Sequence, residues 1–480
     1  MKGKKTKIIS LLITFSFCLS LGIAPATGRT AGAPEIRVKL DAGLTAAAFR
    51  VMSGNYRLYD AATGREIARP KAGEAWTVTR SGGRLEVAPE GGGTVGSFNG
   101  PIELDPVDAG ELNIFRYNNI RYRGSLRVKN TPEGLLVINR LDLEEYLLGV
   151  VGREMGTNAG MEALKAQAVV SRSYALSMRQ PERDYDVTTG TDTQVYGGYE
   201  AELLPGAERV KEAVEATRGQ VLYYKGQLVK AYFHANAGGY TENSENVWLE
   251  ALPYLRATPS PEDAWAARYP YQNDGWPASS YEWTKVLSRR EAQAMAEAWA
   301  GKQEEKGRLG ILVDLVLSRH DWTTGGQTAS GRVTEMNLIG TEGALTAYRD
   351  AIRSVFGLKS TLFDVQMDST VFLLGAGGRQ EQINYGAEIK ALGAGNVIEA
   401  PNGNQGSYVV AGREESREVP KMFTQLVFSG KGHGHGLGLS QWGARGMAEK
   451  GYNYRQILEY YYNQGRRDGN LTIGQYRAES

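Results

Sequence analysis

Cysteine is all but missing: Cys18 is the only one in 480 residues, and it lies inside an N-terminal apolar run. With no second thiol the chain forms no internal disulfide, and beyond that run it offers no thiolate to a zinc ion. Histidine is scarce too, at four residues. Neither charge sign dominates, since 55 Lys and Arg face 54 Asp and Glu. The basic excess of a nucleic-acid binder is therefore lacking, and nucleic acid is not an expected partner. No apolar run is long. Ile8–Ile23 covers about 16 residues, short of the ~20 that a spanning helix needs.

Around that run the flanks are informative. Lys2, Lys4, Lys5 and Lys7 precede it and Ala24-Pro25-Ala26 follows it. A basic start, an apolar middle and small residues at the end predict a signal peptide or retained membrane anchor over 1–26, and hence an extracytoplasmic protein. Phe15-Ser16-Phe17 before Cys18 lacks the small residue of a lipidation site. Cleavage after Ala26 removes four lysines and no acid, turning a formal charge of +1 into −3.

The length allows two or three domains. Residues 34–121 read as a β-rich module: Ile36-Arg37-Val38-Lys39-Leu40, Trp76-Thr77-Val78 and Leu85-Glu86-Val87 alternate apolar with polar, and Gly91–Gly93 and Asn99-Gly100 mark turns. Helical patterning begins at Asp142, with Glu145 three residues on as in a capping box. A second helix is expected from near Asn158 to Leu176. Val221–Tyr224 and Leu228–Phe233 flank Lys225-Gly226 as a hairpin, delivering His234 to a Gly238-Gly239 loop. A helix is expected around Arg290–Ala300, and strands at Ile311–Ser318 and Arg332–Leu338. Residues 366–428 read as a β-rich insertion. Ser440 and Asn453 are placed to cap the last two helices. The expected class is α+β, with helices packed on mixed strands.

Glycine is what the chain has in plenty, with 60 residues. Its densest run is Gly432-His433-Gly434-His435-Gly436-Leu437-Gly438-Leu439-Ser440-Gln441-Trp442-Gly443, which carries two of the four histidines. As a strand it would turn His433 and His435 to one side, and with His234 they could make a three-nitrogen zinc site. Alternatively the imidazoles hydrogen-bond to carbonyls of the loop itself. An anion site is a weak third reading, because the Lys-Ser/Thr of a P-loop is missing. Glu154 stands at the C-terminal end of an apolar helix. The helix dipole and apolar neighbours both raise a carboxyl pKa there, as a general acid needs. The competing readings are a solvent-facing glutamate and a salt bridge to a helix cation such as Lys165 or Arg172.

Several segments together resemble the SpoIID/LytB family. They are Leu141 to Met155, Glu162 to Ala175, Tyr232-Phe233-His234 through Gly238-Gly239-Tyr240-Thr241 to Val247-Trp248, Ser330-Gly331-Arg332-Val333, and the glycine–histidine run through Ala444. The resemblance spans about Tyr122 to Tyr462, which makes 122–480 the expected catalytic domain. It implies a peptidoglycan-directed protein, secreted to the cell wall or anchored at the outer face of the cytoplasmic membrane. The family's sporulation member is a lytic transglycosylase that cuts glycan strands stripped of their peptides, leaving 1,6-anhydro-MurNAc ends. Other members are described as enhancers of cell-wall amidases, so the alternative is a non-catalytic activator with an amidase as partner. The family's catalytic glutamate falls on Glu154. Arg172, His234, His433, His435, Ser440 and Gln441 are the expected substrate-binding residues, with Arg172 either meeting the lactyl carboxylate or serving as a structural cation. The run's glycines would let the backbone approach a glycan. Sporulation members can carry a zinc with cysteine among its ligands; Ala237 and the lack of a mature cysteine leave only a histidine-only zinc site open, and no cofactor is expected.

Overall fold

The computed structural model describes residues 34–108, 110–268, 281–303, 308–374, 380–383, 391–392, 398–399, 407–411, 416–420 and 422–477. The expected signal or anchor over 1–26 and much of the expected insertion at 366–428 lie outside these residues. Among the described residues no helix is long and apolar enough to cross a membrane.

The class is α+β. Two six-stranded sheets come first. One orders its strands as Glu35–Leu44, Gly134–Asp142, Ser125–Thr131, Ile102–Pro106, Tyr56–Asp60 and Arg65–Ala68. The other runs Ile120–Arg123, Ile114–Tyr117, Ala46–Ser53, Ala75–Ser81, Arg84–Pro89 and Gly96–Phe98. Alternate residues such as Ile36, Val38, Phe49, Val51, Val78 and Val87 face one apolar core, as period-two patterning requires. The expected module boundary at 121/122 is corrected here. Ser125–Thr131 and Gly134–Asp142 lie beyond it yet pair with Ile102–Pro106 and Glu35–Leu44. Gly134–Asp142 is buried along most of its length, and a continuous apolar run such as Gly134-Leu135-Leu136-Val137-Ile138 shows no alternation to read.

The helices are α1 (Leu143–Met155), α2 (Met161–Ser177), α3 (Ala207–Ala216), α4 (Ser244–Val247), α5 (Arg289–Ala300), α6 (Ala351–Phe356), α7 (Gln441–Glu449) and α8 (Tyr454–Asn463). Asp142 caps α1 by accepting from Glu144 N at 2.8 Å, but the reciprocal half of the box is missing because Glu145 turns to Arg123. α2 opens at Gly160 without a side-chain cap; Asn158 accepts from Arg445 instead. Ser440 caps α7, and Asn453 with Gln456 forms a full capping box on α8. Ser288 does the same for α5 with Glu291.

Two further expectations change. The strand expected over Leu228–Phe233 is broken: Gln227–Leu228 pairs with Gln220–Tyr224, while Phe233–His234 pairs in parallel with Leu439–Ser440. The ends of the expected insertion also fall inside strands. Phe363–Met367 and Gln425–Lys431 pair with each other, and Glu282–Ser288 completes that sheet. A second core forms there, around Trp283, Met336, Ile352, Phe356, Phe363 and Phe428.

α2 is buried on nearly every side, and Arg172 within it is fully buried. Its guanidinium grips Glu144 with two bonds of 2.9 and 2.7 Å and donates to Gln220 O at 2.9 Å. Arg172 is therefore the structural cation of the two alternatives, tying α1 to α2 with no surface left for substrate. Arg172→Met strands the Glu144 carboxylate in the interior, so chemical denaturation should show a loss of about 3–5 kcal/mol. An unchanged unfolding midpoint would refute this assignment.

Candidate active site

A cleft of about 590 Å³ opens beside the C-terminal end of α1. Glu154 reaches it from the last turn of that helix and is half-buried. Its Oε1 accepts from the backbone N–H of Val195 at 2.6 Å, and its Oε2 from Gln441 Nε2 at 3.1 Å. Gln441 Nε2 also approaches Gln167 Oε1, at 3.5 Å. Lys165 pairs with Glu162 and Arg172 with Glu144, so neither expected cation neutralises Glu154. Burial pushes its pKa up to about 7, against the opposing pull of the two hydrogen bonds.

The glycine–histidine run walls the other side, though not as a strand. Gly432, Gly434, Gly436 and Gly438 have φ of +79°, +108°, +84° and +66°, a region that side chains strongly disfavour. Each also lacks room for a Cβ. One at Gly434 would lie 2.8 Å from His234 Cβ, one at Gly436 2.6 Å from Arg332 Cζ, and one at Gly438 2.1 Å from Tyr232 O. The close approach that these glycines permit is thus to the protein's own interior, which corrects the expectation that they clear a path for glycan.

His234, His433 and His435 all line the cleft. His234 Nδ1 donates to Leu437 O at 3.0 Å, and His435 Nδ1 accepts from Leu437 N at 3.0 Å. The loop's own backbone therefore fixes both tautomers. His234 Nε2 and His433 Nδ1 are buried without a partner in the protein. Burial, aided by Lys359 and Arg353, lowers His433 to about 4; burial with Arg353 and Arg332, against Asp350, lowers His435 to about 4. His234 lies well below its ordinary value, chiefly through burial. All three are neutral at pH 7.

Ala237 offers no donor side chain, and the Arg332 guanidinium donates to its carbonyl at 2.8 Å, placing a cation there. Among the described residues no group of three His, Cys, Asp or Glu is arranged to hold a metal.

Ser440 is fully buried and away from the cleft. Its hydroxyl donates to Asp263, and it accepts from Gly443 N and Ala237 N. It is a cap and a tie, not a substrate contact. Asp263 also accepts from Gly239 N at 3.0 Å, and its backbone carbonyl accepts from Asn236 Nδ2 at 3.1 Å. Burial raises its pKa to about 6 against those hydrogen bonds.

Asp192, Val195, Asp350 and Arg353 also line the cleft and carry no sequence signal, whereas Tyr174, Tyr232 and Trp248 were noticed only as parts of motifs. The Trp248 ring lies 4.4 Å from that of Tyr232 and 5.1 Å from that of His435, centre to centre. Asp350 and Arg353 form a pair through two bonds. Such aromatic and polar groups on one wall suit a sugar, whose faces are apolar and whose rim is hydroxylated.

Both hydrogen bonds to Glu154 favour its charged form, so Gln441→Ala should raise its pKa above about 7, read by carboxyl-carbon NMR. The sign for stability follows from a raised folded-state pKa. The contribution of Glu154 is full below the ordinary carboxylate range and is lost as pH rises through about 7. Wild type should therefore lose stability relative to Glu154→Gln between acidic and mildly alkaline pH. Parallel unfolding curves at both pH values would contradict the elevated pKa.

Residues 131–224 match the SpoIID family, described as stage II sporulation protein. An uncharacterized protein of Brachyspira hyodysenteriae is 28% identical over 415 residues, covering 86% of this chain and 87% of its own. The amidase enhancer of Bacillus subtilis is 28% identical over 398 residues, 74% of this chain but 48% of the enhancer, so the match spans about half of that relative. Stage II sporulation protein D of Bacillus subtilis is 25% identical over 360 residues, 71% of this chain and 80% of its own. The segment similar to the SpoIID family carries α1 with Glu154 and the loop of Val195 that holds it, so the likeness falls on the candidate site itself.

Proposed function

We propose that the protein acts on the bacterial cell wall as a lytic transglycosylase, cleaving the bond between N-acetylmuramic acid and N-acetylglucosamine in peptide-stripped glycan. The observation that carries this reading is Glu154: a carboxyl with a pKa raised to about 7, fixed by Val195 N and Gln441 in a cleft walled by neutral imidazoles and aromatic rings. Protonated, it donates to the glycosidic oxygen as the muramic C1–O bond breaks and positive charge develops on the ring. The carboxylate left behind is stabilised by the same two hydrogen bonds. It then takes the proton from the C6 hydroxyl of that muramic residue while O6 closes on C1. The acid is regenerated, and the products are a 1,6-anhydromuramyl end and a free GlcNAc 4-hydroxyl.

A hydrolytic glycosidase needs a second carboxylate to attack or to activate water. Asp350 in the cleft is held by Arg353, which leaves Asp192 as a candidate, exposed on the cleft wall and accepting from Thr188 Oγ1 at 2.6 Å. The internal C6 hydroxyl makes it dispensable, because a tethered nucleophile has the advantage of proximity.

The second reading is a non-catalytic enhancer of an amidase, supported by the name of the half-covered relative. Purified protein incubated with amidase-treated peptidoglycan separates the two. Expected products are anhydromuramyl ends, with a rate that falls as pH rises through about 7. Glu154→Gln should lower that rate by about 10²–10⁴-fold, and Asp192→Asn far less. Reducing muramyl ends with a strong Asp192→Asn defect would indicate hydrolysis. No product at all, together with stimulation of an amidase by both wild type and Glu154→Gln, would establish the enhancer.

A further inference from the structure

A second cavity, of about 470 Å³, adjoins the Glu154 cleft, and Arg153 and Val195 line both. Its far wall belongs to the N-terminal sheets. Leu40 contributes from the first strand, and Tyr117, Asn118 and Ile120 from the hairpin of Ile114–Tyr117 with Ile120–Arg123. Asn118 and Asn119 turn that hairpin at φ of +45° and +63°, and Asn118 Nδ2 donates to Asp41 at 3.1 Å, which fixes the tip. Ile120 beside it is 37 % exposed.

Arg153 stands at the passage between the two spaces. It follows Gly152 and precedes Glu154, so on a helix it points about 100° away from the acid. Among the described residues its guanidinium has no hydrogen-bond or ion-pair partner. Arg121, Arg123, Arg172 and Arg353, by contrast, each hold a carboxylate at 2.5–2.7 Å. Its stem is nonetheless placed: a Cβ on Gly197 would lie 3.0 Å from Arg153 Cγ.

We infer that the bound glycan strand continues from Glu154 across Arg153 into this second cavity, making the N-terminal sheets part of the substrate groove. The inference rests on the glycan reading above and extends it. Peptide-stripped glycan carries a carboxylate on every muramic residue, and an unpaired guanidinium is suited to receive it. Ile120 presents an apolar surface to the C–H face of an outlying sugar. Only hydrogen bonds offset the burial of Glu154, so Arg153 can take a substrate carboxylate without ionising the acid. Contacts made at a distance add up along one polymer, because linked binding events reinforce each other.

The test uses Glu154→Gln protein, which binds without cutting, titrated calorimetrically with a disaccharide and an octasaccharide of peptide-stripped glycan. The octasaccharide should bind about 10²-fold tighter. Arg153→Gln and Ile120→Asp should each remove most of that gain. An octasaccharide with its carboxylates reduced to alcohols should bind the parent protein as weakly as the natural one binds Arg153→Gln. Both positions are at the surface, and thermal melts establish that the variants fold. An undiminished length gain in both variants overturns the groove while leaving the glycan reading in place. No binding at any length by folded protein overturns the glycan reading itself, and the groove with it.

Discussion

Two residues of parallel strand hold the site together. Phe233–His234 against Leu439–Ser440 is a very short ladder, yet it fixes where the C-terminal part of the chain meets α1. Ser440 opposes His234, so the next residue, Gln441, begins α7 and comes to lie on Glu154, 287 positions away. A ladder this short needs outside support, and Asp263 supplies it. This carboxyl accepts from the Ser440 hydroxyl and Gly239 N, and its carbonyl accepts from Asn236. The four left-handed glycines before the ladder allow the same approach from the other side. They thread the backbone over Tyr232 O, His234 and Arg332 where no side chain would fit. Ordering glycine is entropically costly, so a loop this rich in it holds one shape only because its neighbours over-determine it.

Burial then sets the chemistry. It drives acids and bases alike towards neutrality, raising Glu154 to about 7 and lowering His433 and His435 to about 4. Between those values the acid and the imidazoles are all uncharged, and burying neutral groups is far less costly than burying ions. The position of Glu154 in the last turn of α1 acts in the same direction, since the helix C-terminus repels negative charge. Val195 N and Gln441 act the other way, because a carboxylate accepts their hydrogen bonds more strongly than a carboxyl does. The environment therefore holds the proton on at rest and tolerates its departure, which is what a residue serving first as acid and then as base requires.

Much of this could be read from the residues, and the failures have physical causes. Helices announced themselves through Ser, Asn and Asp caps, and Glu154 through its place at a helix end. Arg172 could not be assigned from sequence because an arginine on an α-helix looks the same whether it faces solvent or a buried Glu144. The glycine run was misjudged because alternating Gly and His satisfies a strand's period of two. Only the positive φ at Gly432, Gly434, Gly436 and Gly438 shows that the backbone has left extended geometry. Val195 contributes a backbone N–H, and no side-chain pattern reports on that. Asp263 was hidden in the same way, since an acid next to Glu262 in an alanine- and tryptophan-rich stretch carries no signature of the hydroxyl it will meet. The module boundary was misplaced because Gly134–Asp142 is buried along most of its length, which erases the alternation by which strands are recognised.

The second core bears on what the cleft can do. α6 belongs to it, through Ile352, Val355 and Phe356, and the Asp350–Arg353 pair at the start of that helix forms part of the cleft wall. Lys359 O, just beyond, accepts from Gly434 N at 2.8 Å, and Arg332 packs beneath Gly436. The glycine–histidine loop is thus clamped between two separately built cores, α1 and α2 on one side and the α6 unit on the other. A wall assembled from two cores responds to any shift of one against the other, whereas Glu154 and its partner Val195 lie within the first core's own elements. Position of the acid and width of the cleft are therefore set by different parts of the molecule. On the proposed reading that division suits a polymer substrate, which would be admitted along its length while the scissile bond meets a fixed proton donor.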